Sequence, residues 1–113
     1  MNSRKRVIFL SGPMQGIPDH NYPAFDRAAR FLRAQGHQVY SPAEYPHEGP
    51  LEDFPLEKAE ADYAVFILTK ADTIALLPGW GKSLGVAREL APANERGLDV
   101  LHLTDVEIGG GEE

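Results

Sequence analysis

Apolar residues along this chain gather in short blocks, separated by longer amphipathic stretches. The first block, "RVIFLS" at residues 6–11, is rich in β-formers and stops at Gly12 and Pro13. That pattern predicts a buried strand running into a loop. Residues 12–20, "GPMQGIPDH", are loop by composition. Phe25, Ala28, Ala29 and Leu32 then recur at helical spacing behind Pro23, so a helix begins near Asn21 or Tyr22 and is capped by Gly36. "HQVYS", residues 37–41, is a second strand. Four prolines break up residues 42–55, which read as an irregular loop able to form a mobile flap. Helical spacing returns as a stripe of Leu56, Ala59, Tyr63, Phe66 and Ile67, and the segment ends at Asp72. "TIALL", residues 73–77, is a third strand, a helix covers residues 83–95 with Gly97 as its cap, and "LDVLHL", residues 98–103, is a fourth strand. The "GGGEE" tail is expected to be disordered.

Strands alternating with helices imply parallel pairing through right-handed crossovers. The expected fold is α/β: one three-layer sandwich with a parallel sheet of four to five strands. A fifth strand would have to come from residues 42–55. One domain spans residues 1–113, with 1–5 and 108–113 flexible. Ligands in such sheets bind beyond the carboxyl ends of the strands. Two glycine-containing loops meet that description, residues 11–16 and 78–83.

Composition narrows the classes. The chain has 113 residues, 42% of them apolar, which suits one core. It has no cysteine, so disulfides and thiolate metal sites are excluded. Its formal net charge is −6, and its one basic cluster, Arg4, Lys5 and Arg6, reads as a solvated N-terminal tail. A nucleic-acid polymer is therefore not an expected partner. The apolar runs are too short for a signal peptide or a membrane span. No membrane partner is expected, and the location is read as cytoplasmic. The four histidines show no ligand spacing, so neither a metal nor another cofactor is expected.

The stretch "LLPGWGKSLGVARELA", residues 76–91, carries the chemistry. Ser83 suits a helix N-cap, whose hydroxyl and neighbouring N–H groups can hold an anion. Gly79, Gly81 and Gly85 allow close approach of backbone or ligand. Glu89, six residues beyond the cap, can face the same ligand. Trp80 either stacks on a base or packs on the protein. Tyr22 and Tyr63 are candidates for the pocket wall, with core packing the favoured alternative for Tyr63. The first loop, "SGPMQG", lacks the lysine-serine ending of a nucleotide-hydrolase phosphate loop and also fails the dinucleotide fingerprint.

Together, "IFLSGPMQGIPDHNYPAFDRAARFLRAQGHQVYSPAE" and "ADTIALLPGWGKSLGVAREL" resemble the nucleoside 2-deoxyribosyltransferase-like superfamily, over residues 7 to about 103. Residues 83–89 are similar to the active-site signature of 2′-deoxynucleoside 5′-phosphate N-hydrolases. The resemblance implies a flavodoxin- or Rossmann-like α/β fold and N-glycosidic bond chemistry on a nucleoside or nucleoside 5′-monophosphate, with Glu89 as nucleophile. It places Ser83 at the 5′-phosphate and Ser11, Gly12, Met14 and Gly16 along the sugar and phosphate. Gly79, Trp80 and Gly85 complete the expected substrate-binding set. It also implies a homodimer or larger homo-oligomer. Related enzymes carry an acidic aspartate eight residues before the third strand's opening aspartate. Counting back from Asp72 reaches Ala64, and the nearest aspartate is Asp62. A two-residue offset turns a helical side chain by about 200°. Asp62 is thus the expected acid only if the helix is displaced. The alternative is a non-catalytic nucleotide-binding or sensor module.

Overall fold

The computed structural model describes residues 5–105 and 107–108. Of the two ends expected to be flexible, only Lys5 and Ile108 fall within this range; the rest, with the "GGGEE" tail, lies outside the described residues. Strand β1 is Val7–Ser11, helix α1 Tyr22–Ala34, β2 Gln38–Tyr40, α2 Leu56–Thr69, β3 Thr73–Leu76, α3 Leu84–Arg96 and β4 Asp99–His102. The sheet is four-stranded and parallel throughout, in the order β2-β1-β3-β4. Residues 42–55 supply no fifth strand; they hold two short 3-10 turns, Pro42–Glu44 and Leu51–Asp53.

Alternation along the strands sorts the layers. Ile8 and Leu10 of β1 and Ala75 of β3 pack with Phe25, Ala28, Ala29 and Leu32 of α1. Phe9, Ile74 and Leu76 pack on the opposite face with Ala59, Tyr63 and Ile67 of α2 and Val86 and Ala93 of α3. The apolar stripe on α2 is narrower than its spacing suggested. Phe66 is only partly buried, and Leu56 is 40% exposed because it sits at the mouth of a cleft rather than in the core.

Polar side chains fasten these layers. Asp72 accepts from the Val7 amide at 3.1 Å and from the Thr73 hydroxyl at 2.8 Å, joining the starts of β1 and β3. Arg96 donates to the carbonyls of Ile67 and Ala71, closing the end of α2 with a charge from the end of α3. Arg6 is not part of a solvated tail. Its guanidinium donates to Thr73 Oγ1 at 2.8 Å and Asp99 Oδ2 at 2.9 Å, and its amide donates to His37 Nδ1.

Ahead of α1, Asp19, His20 and Asn21 are consecutive non-glycine residues with φ of 56°, 52° and 62°. Such residues cost roughly 1–2 kcal/mol each. The Asn21 side-chain amide donates to the Pro13 carbonyl at 2.9 Å, pinning this turn to the first loop.

Candidate functional site

β1 and β3 lie side by side, yet α1 leaves toward one face of the sheet and α3 toward the other. This reversal opens a crevice at their carboxyl ends. The two glycine-containing loops meet there. A Cβ built on Gly12 would lie 2.7 Å from Leu77 Cδ1 and 2.8 Å from Leu77 Cβ, so the approach admits no side chain. Gly79 has φ 87°, in the left-handed region, and packs near Pro13.

Ser83 caps α3, its hydroxyl accepting from the Val86 amide at 3.2 Å. A cavity of about 280 Å³ lies beside that cap. Gly12, Met14 and Gln15 wall it from the first loop, and Leu56, Glu60 and Tyr63 from α2. Ser83, Leu84, Gly85, Arg88 and Glu89 close it from α3. A larger groove of about 530 Å³ runs beside β2, but its walls carry neither a carboxylate nor a glycine loop.

Glu89 is the electrostatic centre of the cavity. Ser11, fully buried at the end of β1, donates its hydroxyl to Glu89 Oε1 at 2.5 Å. Burial pushes the Glu89 carboxyl up to about 8; the Ser11 hydrogen bond opposes this rise and the charge of Glu60 adds to it. Tyr63 is 3% exposed, and its hydroxyl has no hydrogen-bond partner among the described residues. Burial, and then the charge of Glu89, hold the phenol well above its ordinary range. An unpaired buried hydroxyl costs about 1–3 kcal/mol, a cost a ligand can relieve.

The residues expected from sequence divide into two groups. Gly12, Met14, Tyr63, Ser83, Gly85 and Glu89 share the cavity wall, Tyr63 also packing in the core. Ser11 does not line the wall; it reaches the cavity through Glu89, as a positioning residue. Gly16 and Gly79 shape turns outside the wall. Trp80 packs on the α2–α3 core and against the His102 ring, with centroids 5.4 Å apart, instead of facing the cavity. Asp62 also lies off the wall. Its carboxylate accepts from the Tyr45 hydroxyl and from Lys58 Nζ at 3.3 Å, contacts that hold it below its ordinary pKa. The helical rotation explains this: α2 turns Leu56, Glu60 and Tyr63 to the cavity, and Asp62 lies about 200° round from Glu60. Tyr22 walls an adjoining hollow of about 290 Å³, with His20, Glu52 and Phe54. That hollow shares Met14, Gln15 and Leu56 with the first.

Glu60 and Arg88 have no counterpart in the sequence reading. The i, i+3 spacing of Glu60 and Tyr63 was the available signal, since it places both on one helical face. Arg88 Nη1 approaches Glu60 Oε1 at 3.5 Å.

A family model matches residues 6–102, a span that contains every residue of the cavity wall. The chain belongs to the DUF4406 family. That family is described as a domain of unknown function, so membership assigns DUF4406 proteins no activity. No curated protein matches the chain. Among the described residues, no helix is long and apolar enough to cross a membrane.

Proposed function

We propose that this protein cleaves, or transfers the sugar across, the N-glycosidic bond of a nucleoside or nucleoside 5′-monophosphate, with Glu89 as nucleophile. One observation carries the reading. A carboxyl group gripped by a buried serine lies under a small cavity, beside a capped helix N-terminus, at the carboxyl ends of the strands. The resemblance of residues 83–89 to nucleotide N-hydrolases supports the same assignment.

The chemistry follows from charge. Breaking a C–N glycosidic bond develops positive charge at the anomeric carbon. The ionised Glu89 carboxylate stabilises that charge or attacks the carbon to form a glycosyl ester, as in retaining glycosidases. Ser11 holds one carboxylate oxygen and so fixes the direction of attack. The Ser83 hydroxyl and the first amides of α3 receive an anionic 5′ end. The unpaired Tyr63 hydroxyl supplies a hydrogen bond to the bound sugar or its ester. In keeping with the resemblance, the working unit would be a cytoplasmic homo-oligomer.

The test is to incubate the protein with deoxynucleosides, ribonucleosides and their 5′-monophosphates and to measure free base by chromatography. Base release is expected, lowered by ~10³-fold or more in Glu89→Gln. Absence of release from every member of the panel would contradict the reading. A second reading, a nucleotide-binding module without turnover, is favoured by Asp62 lying off the cavity wall. Saturable nucleotide binding with no base release would select it.

A further inference from the structure

We propose that Glu60 is the second carboxyl group of this site, the one that protonates the departing base, with Arg88 as its counter-ion. The proposal rests on the N-glycosidase reading above.

Position carries it first. Glu60 and Glu89 project from different helices into the wall of one cavity. The Glu60 side chain is 26% exposed, open to the cavity yet shielded from bulk water. Its contact with Arg88 is a single approach at 3.5 Å to a guanidinium that is itself 57% exposed. Such a pair is weakly held, so Glu60 is free to engage a ligand. Asp62, the other acidic candidate on α2, is already bound by Tyr45 and Lys58.

Direction comes next. Leu56 belongs to the walls of both hollows, and Glu60 follows it by one helical turn on the same face. Glu60 therefore lies in the cavity wall one turn from Leu56, where that cavity meets the hollow walled by Tyr22 and Phe54. Two aromatic side chains suit a planar heterocycle. A substrate whose sugar lies over Glu89 and whose base enters that hollow brings its glycosidic nitrogen to Glu60.

The step balances with one proton on the pair. The Glu89 carboxylate forms a bond to the anomeric carbon, and the C–N bond breaks. Its electron pair goes to the base nitrogen, which takes the proton of the Glu60 carboxylic acid. Neutral base leaves, and Glu60 is left as a carboxylate. Water then adds to the anomeric carbon, Glu60 takes a water proton, and the Glu89 carboxylate departs. Free sugar is released and the starting charges are restored. In the ligand-free site burial and the neighbouring charge of Glu60 keep that single proton on Glu89 near neutral pH, and the step runs from the tautomer in which it has passed to Glu60.

The experiment compares wild type with Glu60→Gln on two nucleosides, one whose base leaves as a stable anion and one whose base must be protonated. The variant is expected to lose ~10²–10⁴-fold in kcat on the second and to stay near wild type on the first. Equal loss on both, or no loss, overturns the assignment. A second measurement needs no turnover: the Glu89 carboxyl is titrated by ¹³C NMR in both proteins. Removing the Glu60 charge is expected to lower the Glu89 midpoint, and an unmoved midpoint overturns the pair. If wild type releases no base while the Glu89 midpoint still moves, the reaction fails and the carboxyl pair stands. If base is released and both substrates suffer equally, the reaction stands and the role of Glu60 falls.

Discussion

Glu89 occupies a position that opposes folding and, on the proposed reading, serves chemistry. Its folded pKa, about 8, lies above the ordinary glutamate value. The native state therefore binds a proton more tightly than the unfolded chain. The stabilising contribution is fully present below the unfolded pKa and is lost as pH rises toward about 8, beyond which the penalty is constant. Glu89→Gln removes this dependence. The variant is expected to be more stable than wild type by a few kcal/mol at pH 9, with the difference shrinking toward pH 4, as measured by urea unfolding across that range. A wild-type stability advantage at pH 9 would contradict the account. On the proposed mechanism, a base that leaves as an anion needs only the ionised Glu89, so its kcat/KM should rise with pH through the same region, whereas for a base that must be protonated kcat/KM should fall there as the carboxyl pair loses its single proton. Around Glu89 face Ser11, Glu60, Tyr63 and Arg88, and of these the sequence points only to Ser11 and Tyr63. The expected place of Ser11 is along the sugar, because a serine at a strand end gives no hint that its hydroxyl will be used by a helix 78 residues away.

Among the elements, α3 was the most legible. Ser83, Gly85 and Gly97 are strong local signals, and the helix runs Leu84–Arg96 with a serine cap and a glycine at φ 68°. Ser83→Ala should cost ~1 kcal/mol of stability through loss of the cap. It should also weaken binding of a nucleoside 5′-monophosphate more than binding of the parent nucleoside. Denaturant unfolding and calorimetric titration read the two effects; equal weakening of both ligands would remove Ser83 from the phosphate end. Helix α2 was legible in extent but not in orientation. Its apolar stripe is short, so sequence alone did not decide whether Glu60 or Asp62 faces the cavity; packing of Tyr63 between Phe9, Tyr40 and Tyr45 decides it. The left-handed run at Asp19–Asn21 left only a weak trace in the sequence: Asp, His and Asn enter that region more readily than other non-glycine residues, but three in succession do so only when their surroundings hold them there.

At the scale of the whole molecule, the alternation of strand and helix was enough to reach a parallel sheet and the carboxyl-end loops. The strand order was not, since β2 could lie on either side of β1 until α1 chose a face. That choice creates the crevice between β1 and β3 and brings residues 11–15 to α3. A net charge of −6 is compatible with an anionic ligand because the helix terminus and Arg88 act locally. The central claim is that Glu89 is the group that bonds to the sugar. Trapping tests it most directly. The protein is incubated with a 2′-fluoroarabinosyl nucleoside, whose electron-withdrawing fluorine slows hydrolysis of the ester, and is then digested and mapped by mass spectrometry. The account predicts one fluorosugar on the peptide containing Glu89, fragmenting to that residue. Base release with the label on another residue, or with no label while the reaction is in progress, would contradict it.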